Sequence, residues 1–462
     1  MIDSIQDISS NLSTGLRQGM ERQSERLKNL PVLVFILIVG LVTPLVLSLG
    51  SLRLSVYRVV LLFMFFPILY ALFTGRAGRI RGPDICVMLI CFWSILSMIV
   101  IHGFTDMIEP IGIFVVEVLG AYLVGRVLIR SPEAFRAMVK LFFSLTLLML
   151  PFAIFEAVSG QNIILDMFDK IGKTYPDVSK DPRWGLDRVQ GPFAHPIHFG
   201  VFFGSLIGIT YYVLGYGNSA FSGLWRTIVV IAVGALALSS GPLSALVAQV
   251  FFIVWDLILR SVKSRWYILS GLSVLSYFII DILSNRNPFQ VFISYLAFNE
   301  GTAYNRVLIW IWGTKTISDN PLFGVGFGDW ERPFWMGSSF DMFWLITALR
   351  HGLVAGVLFA LLFFWIFLQT AFAKVGDPKV QAYRTGYLAT MFGLFMAGWT
   401  VHYWDATLVL FMFLLASGMW ISDDKVPFST EETGSPANET RQGVRYSRFA
   451  PQYQRQGRFG DS

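Results

Sequence analysis

Apolar runs of eighteen or more residues recur between Pro31 and Trp420, and nothing else in the chain limits its fold as tightly. A run of that length crosses the hydrocarbon core of a bilayer, about 30 Å thick, as a helix. Inside that core every backbone N–H and C=O must be paired within the protein, which leaves helices and closed barrels. A barrel requires apolar and polar residues to alternate with period two, and no such pattern is present. The chain therefore reads as all-α, a polytopic helical membrane protein. Composition agrees: 55% of the 462 residues are hydrophobic and 14% charged, whereas soluble domains carry about a quarter charged.

Hydropathy places about twelve spans, near residues 31–50, 55–73, 83–101, 108–129, 138–158, 196–215, 224–239, 242–260, 266–283, 345–371, 384–400 and 404–421. Lys and Arg in the short connections orient them. Arg76, Arg79 and Arg81, then Arg126, Arg130, Arg136 and Lys140, then Arg226, then Arg260, Lys263 and Arg265, then Lys374, Lys379 and Arg384 occupy alternate connections. They share a side with Arg17, Arg22, Arg26 and Lys28, and the positive-inside rule makes that side cytoplasmic, with both termini there. Two large loops, about 159–195 and 284–344, then face outward, the second long enough to carry short helices. All five histidines, His102, His195, His198, His351 and His402, fall at or near that outer side. This points to a polar site assembled there, although an imidazole also tolerates a membrane interface for structural reasons alone.

Three regions follow. Residues 1–30 form a cytoplasmic leader in which Ile5, Ile8, Leu12, Leu16 and Met20 recur at the spacing of an amphipathic surface helix. Residues 31–422 are the transmembrane domain. Residues 423–462, rich in Gln, Arg, Ser, Gly and Pro, read as a disordered cytoplasmic tail. No cleavable signal peptide and no transporter-like internal repeat is visible. The net charge of +6 comes from basic residues beside spans, so no nucleic-acid partner is implied. Cys86 and Cys91 share no helix face, and imply neither a disulfide nor a metal site.

Within this lipid-soluble chain, Tyr304 to Gly356 is a long polar excursion rich in Trp and Gly, as surface chemistry requires. Gly324-Val325-Gly326-Phe327-Gly328 lacks the preceding strand, following helix and cytosolic setting of a dinucleotide fingerprint. Gly313-Thr314-Lys315-Thr316 has Leu308 where a P-loop needs its first glycine. No nucleotide, cofactor or metal is therefore expected, and the work must draw on an activated substrate or a gradient. Arg306, Ile309, Trp310 and Gly313 share one helix face. A planar guanidinium at that depth beside indole rings suits phosphate oxygens of a lipid head group, or simply anchors the helix. Arg188 to Pro196 enters a span through Gly and Pro, with Pro196 suited to a first helical turn. Arg188 and His195 are candidate phosphate or sugar contacts, or parts of a helix start. Glu117, mid-span, reads as structurally paired. Asp341 follows Gly337-Ser338-Ser339-Phe340 at the re-entry into the membrane and is a candidate general base toward a sugar hydroxyl.

Taken in order, Arg188 to Pro196, Ser239-Ser240-Gly241-Pro242-Leu243-Ser244, Arg306 to Trp310, Asn320-Pro321 with Gly324, Gly326 and Gly328, and Asp341 leading to Gly352-Leu353 resemble the O-antigen ligase and O-antigen polymerase superfamily, over residues 180 to 370 or so. The resemblance implies a polytopic glycosyltransferase of the bacterial inner membrane. Its substrates are glycans on undecaprenyl diphosphate, and its partners are membrane lipid and other polysaccharide assembly or export proteins. It implies that Arg188 and Arg306 hold the diphosphate, and that Asp341 is the base or orienting group where ligases carry a histidine. The His-Asn expected ahead of the Gly-Leu pair reads Asp341-Met342, and the Ser-Arg pair of the central span reads Ser240-Gly241. Both departures favour the exopolysaccharide-polymerase branch over a ligase. His351 is the alternative source of an imidazole, or a helix cap. A twelve-span lipid or polysaccharide transporter fits the span count and the missing nucleotide site equally well, but lacks support from related halves. A secretion scaffold would leave the outer Arg and Asp residues dispensable.

Overall fold

Eight helices among the described residues are long and apolar enough to cross a membrane. The computed structural model describes residues 30–50, 52–178, 181–295 and 300–423. The leader helix expected over Ile5 to Met20, and the tail from residue 424 onward, lie outside the described residues. In chain order the helices are α1 (Val32–Leu41), α2 (Val56–Phe73), α3 (Gly82–His102), α4 (Phe104–Leu128), α5 (Pro132–Ser159), α6 (Ile163–Asp169), α7 (Pro196–Leu214) and α8 (Ala220–Ala235). They continue with α9 (Ser240–Ile258), α10 (Arg265–Leu283), α11 (Pro288–Tyr295), α12 (Glu300–Asp319), α13 (Phe343–Ala371), α14 (Pro378–Ala397) and α15 (Ala406–Ser417). The spanning candidates are α2, α3, α4, α5, α7, α9, α10 and α13. With 71% of the chain helical, the all-α expectation holds.

The other four expected spans take shorter or more polar forms. Residues 31–50 give only the ten-residue α1, because Pro44 cannot continue a helix. The chain turns instead into an antiparallel hairpin, Val46–Leu49 against Leu52–Ser55, with Val46 opposite Ser55. Helix α8 has sixteen residues. Helix α14 has twenty but opens on Lys379, Gln381 and Arg384. Helix α15 passes into a 3-10 turn, Met419–Ser422.

Burial distinguishes two kinds of apolar helix. All twelve residues of α15 are buried, so this helix is the middle of the core. Helix α10 buries none of its residues, and Ile282 there is 79% exposed. On α2, Phe63 and Phe66 are similarly bare. Apolar surface this continuous is not stable against water and calls for lipid around it.

Two clusters of charge inside the apolar region are paired, as burial demands. Arg126 meets Asp84 at 3.2 Å, and the Tyr122 hydroxyl donates to the same carboxylate at 2.7 Å. Within α4, Val116–Gly120 is a π-helical turn that carries Glu117. Such a turn re-aims one side chain out of helical register. Glu117 thereby reaches Arg58 Nε at 2.8 Å and accepts from the Tyr57 hydroxyl at 3.3 Å. Arg58 also holds Asp405 at 2.5 Å. The structural pairing expected for Glu117 is thus present.

The Gly-rich motif has a backbone role. Helix α13 is broken at Gly352, where φ is 82° and ψ 168°. In a straight helix the carbonyls of Leu349 and Arg350 would accept from the amides four residues on. Here they accept from Val325 N at 2.8 Å and Gly326 N at 3.0 Å, while Leu353 N turns to Pro321 O at 2.8 Å. The segment 321–326 therefore clasps the break and supplies the hydrogen bonds the helix gives up, as irregular backbone at membrane depth requires. Side chains would prevent the approach: a Cβ on Gly324 would lie 2.7 Å from Gly352 N.

Candidate functional site: an arginine corner and a neighbouring cavity

The link between α8 and α9, Ala237 to Ser240, collects three arginines from two distant stretches of sequence. Arg183 Nη1 donates to Leu238 O at 2.8 Å, Arg188 Nε to Ala237 O at 3.4 Å, and Arg306 Nη2 to Ser240 Oγ at 3.0 Å. Val189 N donates to Leu236 O at 3.1 Å, which ties the first large loop to the same link. That loop is fastened from below by Glu156 at the end of α5. Its carboxylate accepts from Gln190 N at 2.6 Å and Gly191 N at 3.0 Å, and Asn162 Nδ2 reaches it at 3.4 Å. Glu156→Gln keeps the shape but turns one of the two oxygens that accept from the loop amides into an NH2 group. It is expected to lower unfolding stability by about 1–3 kcal/mol, measured by thermal unfolding in detergent; an unchanged midpoint would refute the fastening role.

Helix α12 brings the second large loop in. Ile309 is buried beneath it, and Gly313 admits the Phe340 ring, which a Cβ would meet at 2.7 Å. Phe340 leads directly into Asp341, whose Oδ1 accepts from Ser339 Oγ at 2.8 Å. Asp341 is near enough to stabilise the Arg306 charge. Trp310, one turn from Arg306, packs at a tilt against Phe289 at 4.0 Å and lies 6.4 Å from Trp399, a brace for the helix.

The electrostatics are those of a site short of negative charge. Burial, helped by the nearby Arg183 charge, pulls Arg306 and Arg188 down to about 10. Asp341 opposes this at Arg306, as Asp181 does at Arg188. Arg306 Nη1 is buried without a hydrogen-bond partner among the described residues. Desolvated cations with unused donors favour an incoming anion.

Sequence reasoning missed Arg183. Its only local signal was a second arginine five residues ahead of Arg188, next to Trp184-Gly185. Backbone strain gathers in the same places. The described chain has three non-glycine residues at positive φ: Trp184 (55°), Leu238 (46°) and Asp405 (51°). Two flank the arginine corner, the third lies in the neighbouring cavity, and strain of this kind concentrates at functional sites.

The remaining candidates lie elsewhere. His195 Nδ1 accepts from Ile197 N at 3.1 Å, capping α7, and its ring faces Trp404 at 6.5 Å. His198 packs edge-on to Trp404 at 4.0 Å, and His402 lies 5.3 Å from the same indole. His351 lines a cavity of about 250 Å³ with Arg350, His402, Trp404 and Asp405, and none of Arg188, Arg306 and Asp341 lines it. Burial and the Arg350 charge push His402 down to about 3, so its imidazole is neutral across the physiological range. Of the six side chains singled out from sequence, Arg188, Arg306 and Asp341 gather at one corner with Trp310 bracing it. His195 and His351 join the aromatic and cavity groups instead. In comparisons with known proteins, no family model and no curated protein matches this chain.

Proposed function

We propose that this chain is a membrane glycosyltransferase that polymerises oligosaccharide repeats carried on undecaprenyl diphosphate into an exopolysaccharide or O-antigen, at the outer face of the bacterial cytoplasmic membrane. The observation that carries the reading is the meeting of Arg183, Arg188 and Arg306 on one backbone corner, with Asp341 beside Arg306. A lipid diphosphate is the leaving group such a corner suits. As the glycosidic C–O bond breaks, its electron pair passes to the diphosphate oxygen, and guanidinium donors stabilise that developing charge more than they stabilise the substrate. The acceptor hydroxyl attacks the anomeric carbon, and its proton passes to Asp341. No nucleotide enters the scheme because the energy resides in the donor.

The test uses purified full-length protein with a lipid-diphosphate oligosaccharide. Asp341→Asn is expected to slow glycan lengthening by about 10²-fold, the low end for loss of a general base, while leaving donor binding in place. Lengthening at the wild-type rate would remove Asp341 from the reaction. Transfer of whole chains to a different lipid would mark a ligase, and translocation without new bonds a transporter.

A further inference from the structure

The cavity beside the α13 break has no part in the transfer scheme above, yet it is built to hold something. Arg350 leads into the break, with its guanidinium over the Phe327 ring at 5.2 Å and no ion pair to a carboxylate among the described residues. The two acids that line the cavity, Glu117 and Asp405, are both held by Arg58. His351 is 5% exposed, and its Nδ1 is buried without a hydrogen-bond partner. His402 lines the same space. The polar end of the cavity therefore offers a cation with no ion-pair partner of its own and ring nitrogens, beside two carboxylates that share Arg58.

The rest of the lining is mostly apolar, Phe114 and Ile346 among it, with the hydroxyls of Ser94, Thr347 and Tyr403 as the exceptions. Next to it lies a second depression of about 370 Å³ between α2, α3 and α4, lined by Leu62, Phe66, Ile99, Phe104 and Val115 and by no charged residue. Ile95 and Ile111 line both spaces, so the apolar groove adjoins the polar cavity at these two side chains. A ligand filling both needs a hydrocarbon chain at one end and an anionic head at the other.

We propose that this pair of spaces is a binding site for an anionic membrane lipid, its acyl chain in the α2–α3–α4 groove and its phosphoryl head against Arg350, His351 and His402. The site is separate from the arginine corner, and because its readout is lipid binding it stands or falls apart from the transfer chemistry.

Full-length protein in a neutral detergent is titrated with phosphatidylglycerol, with a diacylglycerol of the same chains, and with inorganic phosphate, following bound mass and thermal unfolding. Phosphatidylglycerol is expected to bind about tenfold more tightly than diacylglycerol, the effect of one charge-assisted hydrogen-bonded contact. Arg350→Gln removes that preference and Arg350→Lys keeps part of it. Gly112 borders the groove, and a Cβ there meets nothing within 4 Å. Gly112→Phe is therefore expected to weaken phosphatidylglycerol while leaving inorganic phosphate unaffected. Should Arg350→Gln fail to fold, His402→Phe serves as the second test of the head site and is expected to reduce the same preference. The proposal is overturned if wild type binds both lipids equally, if the preference survives Arg350→Gln, or if inorganic phosphate alone binds as tightly as phosphatidylglycerol.

Discussion

Gly352→Val is expected to abolish recovery of monodisperse protein, and not merely to trim its activity. At φ 82° and ψ 168° the residue occupies backbone space that side-chain-bearing residues avoid, at a cost of about 1–3 kcal/mol. A Cβ there would also collide with the carbonyl of Leu322. Relieving the collision means withdrawing the 321–326 clasp. That strands the carbonyls of Leu349 and Arg350 and the amide of Leu353, each worth about 1–3 kcal/mol when buried unpaired. Together these place the loss at about 4 kcal/mol or more, in the range that marks a specific structural failure. Gly217→Val is the control. Its φ is 74°, but a Cβ there meets nothing within 4 Å, so only the local strain of about 1 kcal/mol or a little more remains. Thermal unfolding and gel filtration of both variants read the difference. A Gly352→Val protein as stable as the Gly217→Val protein would mean the clasp contributes nothing.

Arg306→Met is expected to separate stability from function. Arg306 is 5% exposed, with Nη1 lacking a partner among the described residues and a Ser240 hydroxyl on Nη2. A buried cation offset only by the nearby Asp341 is a burden on the fold, and replacing buried ionic groups by apolar residues of similar volume is often neutral or stabilising by about 1–4 kcal/mol. The Met variant should therefore unfold at the wild-type temperature or above. Under the proposed chemistry it should lose about 10²–10³-fold in glycan transfer, the effect of removing one preorganised donor to a developing negative charge. Arg306→Lys keeps the charge and loses the planar fork, so its rate should fall between the two. Wild-type transfer by the Met variant would end the diphosphate assignment. A large fall in stability would show that the guanidinium serves the fold.

The contrast between what could and could not be read from sequence follows the range of each signal. Apolar runs are local, so the helices α2 to α5 appear where hydropathy sets them. The run at 31–50 misled because hydropathy does not weigh Pro44, which halts the helix and lets a hairpin form. The glycines at 324, 326 and 352 were visible as punctuation, without the strand and helix that a nucleotide fingerprint needs. Their pairing across the break was hidden, because it depends on which carbonyls a distant turn leaves open. Arg188 and Arg306 were legible as interfacial arginines, but Arg183 was not. Only the fold shows that its guanidinium shares a backbone corner with theirs. His351 was the alternative to Asp341, as a source of an imidazole, or a helix cap. The break at Gly352 directs it to a different cavity.

The clasp also bears on how this sequence can change over descent. Pro321 to Gly326 and Leu349 to Leu353 work as lock and key, each useless without its counterpart. A lineage that straightened the helix by giving Gly352 a side chain would leave the loop's amides without acceptors. One that lost Gly324 or Gly326 would leave the helix open. Isolated edits on either side are penalised, so the two segments should be kept or abandoned together, even while the residues between them drift.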